Sequence, residues 1–288
     1  MIRVSALLVL ILSGCAGMTE PEGPPRKETL YAVTAGNGLI RFNAGQPQRI
    51  LNRASIQGLQ PGETLLGIDY RVARGVLFGL GSSGRLYTLN AQSGAATPVG
   101  TPLAVPLEGG EFGFDFNPAV DRIRVVSDTG QNMRLHPDTG AVIDADPNTA
   151  GIQTDGRLAY AAGDPNAGKT PRVMAAGYTY NQVNSKITTN YAIDGALGAL
   201  VTQGTREGVT PAVSPNTGQL FTVGPLGVGP QSRVFFDISD VNNAAFAAFT
   251  AAGASASRFY SVNLQTGAAT FIGTIGGGEA VRGIAIAP

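Results

Sequence analysis

The sequence predicts an all-β fold, a β-propeller closed by pairing of its C-terminal strand with its N-terminal blade. Three observations point there. Short alternating apolar runs are punctuated by Gly, Pro, Asn and Asp, with no helical period sustained over ten or more residues. The runs recur at a spacing near 50 residues. The first strand of one repeat sits at the C-terminus, while its remaining strands open the body at the other end.

The clearest repeat runs Gly67-Ile68-Asp69-Tyr70, then Val76 to Leu80, then Arg85 to Asn90, a turn at Gln92-Ser93-Gly94, and Ala95 to Gly100. Four strands of this kind make one blade. A second copy starts at Gly113-Phe114-Asp115-Phe116, 46 residues after Gly67, and continues through Arg122 to Val126 and Asn132 to Leu135. A third opens with Val234 to Ile238 and ends in the turn Gln265-Thr266-Gly267 and the run Ala268 to Gly273. Leu30 to Val33, Leu39 to Asn43 and Gln48 to Leu51 match strands two, three and four of the unit, and Gly283 to Pro288 supplies the missing first strand. Closing the ring this way leaves few free strand edges and ties down both ends. Between Ala141 and Gln231 the pattern blurs, so five blades fit and six remain open.

Phe114-Asp115-Phe116-Asn117-Pro118, with Asp121 to Ser127 and Gln131 to Leu135 after it, resembles the family catalogued as domain of unknown function 4394. Phe236-Asp237-Ile238 and Leu264 to Ala269 are similar too. The resemblance covers the body and implies an exported, propeller-like protein. It brings no catalytic residues with it.

Twenty basic and twenty acidic residues cancel, and Arg and Lys do not cluster with aromatics, so no electrostatic footprint for nucleic acid exists. Charged residues make up 14% of the chain, against about 25% in an average globular domain. Ser, Thr, Asn, Gln and Gly must therefore carry the surface polarity.

Met1-Ile2-Arg3 followed by the apolar stretch Val4 to Leu12 reads as an export signal, too short to span a bilayer. It ends in Leu12-Ser13-Gly14-Cys15, which resembles the lipobox of bacterial lipoproteins. Residues 1–14 are therefore expected to be a signal peptide, 15–29 a lipidated Cys15 with a Pro-containing tether, and 30–288 one propeller domain. The expected address is the bacterial cell envelope, with the chain lipid-anchored at the outer membrane or on a periplasmic or extracellular face. The membrane is one partner and a protein or glycan another. Ala16, which is not Asp, favours the outer membrane by resemblance to enterobacterial sorting. Cys15 is the only cysteine, which excludes disulfides and thiol catalysis.

Chemistry has few places to reside. The single histidine, His136, stands where other copies carry Asn90 and Asn263, and reads as a turn residue. One His and one Cys cannot build an ordinary zinc site. Asp69, Asp115 and Asp237 recur on the first strand of three copies, and first strands line a propeller's channel. Two roles are open to them: holding Ca²⁺, which takes six to eight oxygen ligands, or bonding backbone amides or an Arg such as Arg124 to lock blade to blade. Asp144 to Asn148, with Asp155 twelfth from Asp144, superficially resembles a calcium loop but lacks its Gly and Glu, and reads as a solvated connection. Arg122, Arg124, Asp128, Asn132 and Arg134 form a polar cluster. They are read either as a site for an anionic or sugar ligand or as an interblade ladder with Asp115, Asp121 and Asp128 as partners. The function expected is that of a non-catalytic binding or scaffold lipoprotein. The alternative is a metal-assisted hydrolase or lyase using the channel Asp and Arg residues.

Overall fold

The computed structural model describes residues 20–288, in which five sheets form the blades of one propeller. Blade 1 holds β1 (Thr29–Thr34), β2 (Gly38–Asn43) and β3 (Gln46–Ser55); blade 2 holds β4 (Leu65–Arg71), β5 (Val76–Gly81), β6 (Leu86–Leu89) and β7 (Ala96–Val99). Blade 3 comprises β8 (Phe112–Asn117), β9 (Arg122–Ser127) and β10 (Asn132–Leu135). Blade 4 comprises β11 (Ala159–Tyr160), β12 (Val173–Tyr178), β13 (Asn190–Asp194), β14 (Ala199–Gln203) and β15 (Gln219–Pro225). Blade 5 holds β16 (Arg233–Ile238), β17 (Ala245–Thr250), β18 (Arg258–Val262) and β19 (Ala269–Thr274), and β20 (Val281–Ile286) returns to blade 1.

The tail closes the ring as expected. β20 pairs antiparallel with β1, setting Ile284 opposite Ala32 and Ile286 opposite Leu30. Six blades are ruled out, because the blurred region is one five-stranded sheet in which β11 adds parallel to β15. Blade 3 has no fourth strand, and only a bridge from Leu135 to Val142 stands there before the chain leaves the sheet.

The core is divided among the seams between blades. Phe42 and Ile40 of blade 1 meet Phe246 and Phe259 of blade 5, with the Phe42 and Phe259 rings 5.3 Å apart and edge-on. Met174, Tyr191 and Ile193 of blade 4 meet Phe236 and Phe249 on the other side of blade 5. Removing one such ring costs about 3–5 kcal/mol, so each seam matters to the whole.

Inner strands approach one another closely, which explains the Gly two residues before Asp69 and Asp115. A Cβ on Gly113 would lie 2.6 Å from the Ala176 amide nitrogen of the next blade, so only glycine fits there. Apolar residues including Ile68, Phe112, Phe114, Phe235 and Ile284 leave about 10 Å³ at mid-channel, room for about one water. The channel is narrowest there, at an apolar constriction.

Candidate functional site

The site lies on the face where the inner strands end. Each inner strand is a sheet edge, so its amides toward the channel lack a strand partner. Asp69 Oδ1 accepts from its neighbour's amide, Tyr70 N, and Oδ2 from Phe116 N of the next blade, both at 2.7 Å. Asp237 repeats this with Ile238 N of its own strand and Ile286 N of β20. Asp115 Oδ1 accepts from Tyr178 N of β12 at 2.9 Å. Three carboxylates thus serve one amide from each of the five inner strands. Five of their six oxygens are used, and among the described residues Asp115 Oδ2 accepts no hydrogen bond. Each Asp also joins its blade to the next: 2 to 3, 3 to 4 and 5 to 1. At the equivalent positions of blades 4 and 1 stand Gly177 and Ala285. Of the partners considered from sequence, backbone amides take this role and Arg124 does not.

All three carboxylates are buried, and one oxygen from each lies within 4.8 Å of the others. A single ion at about 2.3–2.6 Å from each ligand can span such a gap. Without an ion, burial and the mutual repulsion of the cluster push Asp69 and Asp115 well above the ordinary carboxylate range. Burial, with Asp240 adding to it against the pull of the two amides, pushes Asp237 up to about 8. Asp240 itself, half-buried above the cluster, is raised by burial to about 7.

Beside the channel mouth is a cleft of about 410 Å³ lined by Arg122, Arg124, Arg134, Tyr178 and Asn216, with Val120 and Ile143 as apolar walls. Alternation along β9 puts Arg122 and Arg124 on one face, and β10 brings Arg134 opposite Arg124. Asp155 binds both: Arg124 Nη1 donates to Oδ2 at 2.6 Å, and Arg134 donates through Nε and Nη2 at 2.8 and 2.7 Å. Arg124 also donates to Asn132 Oδ1, Asn216 Oδ1 and Tyr178 Oη. Asn132 Oδ1 in turn accepts from Gln203 Nε2 of blade 4 at 3.0 Å. Among the described residues Arg122 donates only to backbone carbonyls, those of Val120 and Asp121. Three guanidinium groups therefore line a cleft with one carboxylate among them.

Residues 38–285 match the family described as Domain of unknown function (DUF4394). The chain belongs to that family. A comparison with curated proteins returns no match. Among solved structures, Kuenenia stuttgartiensis hydrazine synthase is similar at 12% identity over 75% of this chain, with a TM-score of 0.38. The DUF4394 chain spans 49% of that protein.

The polar cluster predicted for this DUF4394 protein is only partly gathered. Arg122, Arg124, Asn132 and Arg134 converge, whereas Asp128 lies at the other end of β9, accepting from Gly110 N and pairing with Arg172 at 3.0 Å. The ladder partners expected for the arginines are corrected as well. Asp115 serves an amide, and Asp121 and Asp138 together clamp the buried Arg71 of blade 2. The true partner is Asp155, which the sequence placed in a solvated loop; in the structure it is 4% exposed. A long connection carries it there after blade 3 forgoes its fourth strand, and no repeat period marks that stretch. Asp240 also escaped sequence reading, since it follows β16 in a turn. It lines a second cavity of about 610 Å³ with Arg71, Phe116, Asp121 and Tyr180, and the two cavities share Asn117.

His136 behaves as the turn residue expected. Its Nδ1 accepts from Asp138 N, as Asn90 and Asn263 accept within their own turns. Asp144 accepts from Asp146 N and Gln153 N, which fixes its loop internally. Cys15 and the signal segment lie outside the described residues.

Proposed function

We propose that this protein is an exported, lipid-anchored member of its family that binds a carboxylate-bearing glycan in the arginine cleft and performs no chemistry on it. One observation carries the reading: three guanidinium groups line an open cleft with apolar walls, and the single carboxylate there, Asp155, pairs with only two of them, Arg124 and Arg134. Among the described residues Arg122 has carbonyl partners only. Planar guanidinium groups match a carboxylate in a bidentate way, and the apolar walls suit the face of a sugar ring. The metal-assisted hydrolase or lyase has one observation in its favour, the closeness of three carboxylates. Their engagement with five backbone amides weighs against it, as does the apolar constriction at mid-channel.

Calorimetric titration with a uronic acid oligosaccharide tests the proposal. Binding is expected to weaken with salt and to fall about 10–100-fold in Arg122→Gln, from the roughly 1.5–3 kcal/mol of a charged hydrogen bond. Equal affinity for the neutral, carboxyl-reduced sugar would overturn it. Preference for an acidic peptide over the oligosaccharide would assign the cleft to a protein partner. The anchor is tested separately, since Cys15→Ser is expected to move the protein out of the membrane fraction.

A further inference from the structure

The membrane-facing surface follows from where Glu20 is fastened to the body. Glu20 is held at the rim of the wheel, where its two carboxylate oxygens accept from the Thr274 amide at 2.7 Å and the Thr274 hydroxyl at 2.9 Å. From there the chain passes along the seam between blades 5 and 1. Gly23 O accepts from Gln46 Nε2, and Arg26 and Asn43 exchange two hydrogen bonds at 2.8 Å. The segment read from sequence as part of a Pro-containing tether is therefore fastened to the body from Glu20 onward. Glu20 lies five Cα steps beyond Cys15, a reach of at most about 18 Å at 3.6 Å per residue. That is little more than the width of one four-stranded blade, about 14 Å at 4.8 Å between strands.

The outermost strands flanking this seam, β19 and β3, carry the surface that a bilayer would meet. Phe271 on β19 is 39% exposed and Leu51 on β3 is 48% exposed. Arg258 stacks over the Phe271 ring at 4.2 Å, and Arg49 and Arg53 lie exposed on β3. Of the carboxylates near this rim, Glu279 pairs with Arg53, Glu20 accepts from Thr274 and Glu28 from Asn242, while Glu22 is exposed. Exposed apolar side chains with arginines beside them suit the interface of an anionic bilayer, where the rings and alkyl stems enter and the guanidinium groups reach the phosphates.

We propose that the wheel stands on the rim of blades 5 and 1, with Leu51, Phe271, Arg49 and Arg258 against the lipid surface. In a ring of five, blade 3 lies across the channel from that seam, so the arginine cleft is held on the side away from the membrane. This inference rests on the lipid anchor at Cys15 proposed above.

The test uses the full-length lipidated protein in phosphatidylethanolamine and phosphatidylglycerol vesicles that carry a nitroxide on the headgroup. Because Cys15 is the only cysteine and would be acylated, a thiol introduced by Asn52→Cys on the rim or Val120→Cys at the cleft is the only one a fluorophore labels. The rim label is expected to lose most of its emission to the nitroxide, while the cleft label keeps its own. With the anchor intact, Leu51→Ser plus Phe271→Ser is expected to reduce the rim quenching toward the cleft value. Equal quenching at both positions, or stronger quenching at Val120, overturns the orientation even though the protein stays on the vesicles. Failure of the anchor is recognised differently: the unsubstituted protein would not float with the vesicles, and the orientation would fall with it.

Discussion

Replacing the channel carboxylates one at a time is expected to give an order of stabilities that the hydrogen-bond pattern fixes in advance. Asp237→Ala strands the amides of Ile238 and Ile286, and Asp69→Ala strands those of Tyr70 and Phe116. Asp115→Ala strands only Tyr178. A buried donor left without a partner costs about 1–3 kcal/mol, so the first two substitutions should cost about 2–6 kcal/mol and the third about half as much. At about 2–4 °C per kcal/mol for a domain near this size, the expected drops in Tm are roughly 4–24 °C and 2–12 °C. Relief of repulsion among the buried carboxylates offsets part of each value and leaves the order intact. Asp115→Asn is the informative control, because its carbonyl keeps the Tyr178 amide and its NH₂ replaces the one oxygen without a partner. Its Tm should match or exceed that of the unsubstituted protein. Scanning calorimetry at pH 6 measures all four. The reasoning is refuted if Asp115→Ala proves as costly as Asp237→Ala, or if none of the alanine variants loses stability.

The remaining predictions concern titration, the buried ion pair and ring closure. Asp237 is raised to about 8 from about 3.9 in an unfolded chain, so across that interval the folded state holds a proton that the unfolded state has released. Stability should therefore decline as pH rises from about 5 to about 8, with Asp69 and Asp115, raised as well, acting in the same direction, and urea midpoints across this range would show it. Calcium is expected to leave Tm unchanged at pH 8.5, since five of the six oxygens already serve amides; a rise there but not at pH 5.5 would mean that an ion sits in the channel. Arg124→Met should cost about 3–5 kcal/mol by exposing the imbalance of a buried pair, whereas Arg122→Gln should stay within about 0.5 kcal/mol of the parent, both read by urea unfolding. Deleting residues 281–288 removes β20, and far-ultraviolet melting should then lose its single cooperative transition.

Ring closure could be read from the sequence because the split repeat carries it: Gly283 to Pro288 resembles other first strands, and Leu30 to Val33 resembles second strands. The recurrence of Asp69, Asp115 and Asp237 was equally visible, since strand periodicity keeps equivalent side chains in register around a wheel. Their joint arrangement was not, because it depends on how the twist of each blade aims an inner-strand amide at the preceding blade. Blade 4 was blurred by its parallel addition of β11, a short strand without the alternation that marks the others. Asp155 lay beyond reach for a related reason. Its position is set by a connection that departs from the repeat, and only the folded path shows that it returns to Arg124 and Arg134. Asp240 shares that difficulty, being placed by a turn and not by a strand.

Hydrogen exchange at single-residue resolution tests the carboxylate latch most directly. In the parent protein the amides of Phe116, Tyr178 and Ile286 should exchange only through global unfolding, and in Asp237→Ala those of Ile238 and Ile286 should lose protection while Phe116 and Tyr178 keep theirs. Fast exchange of Ile286 in the parent, or unchanged protection of Ile286 in Asp237→Ala, would contradict the account.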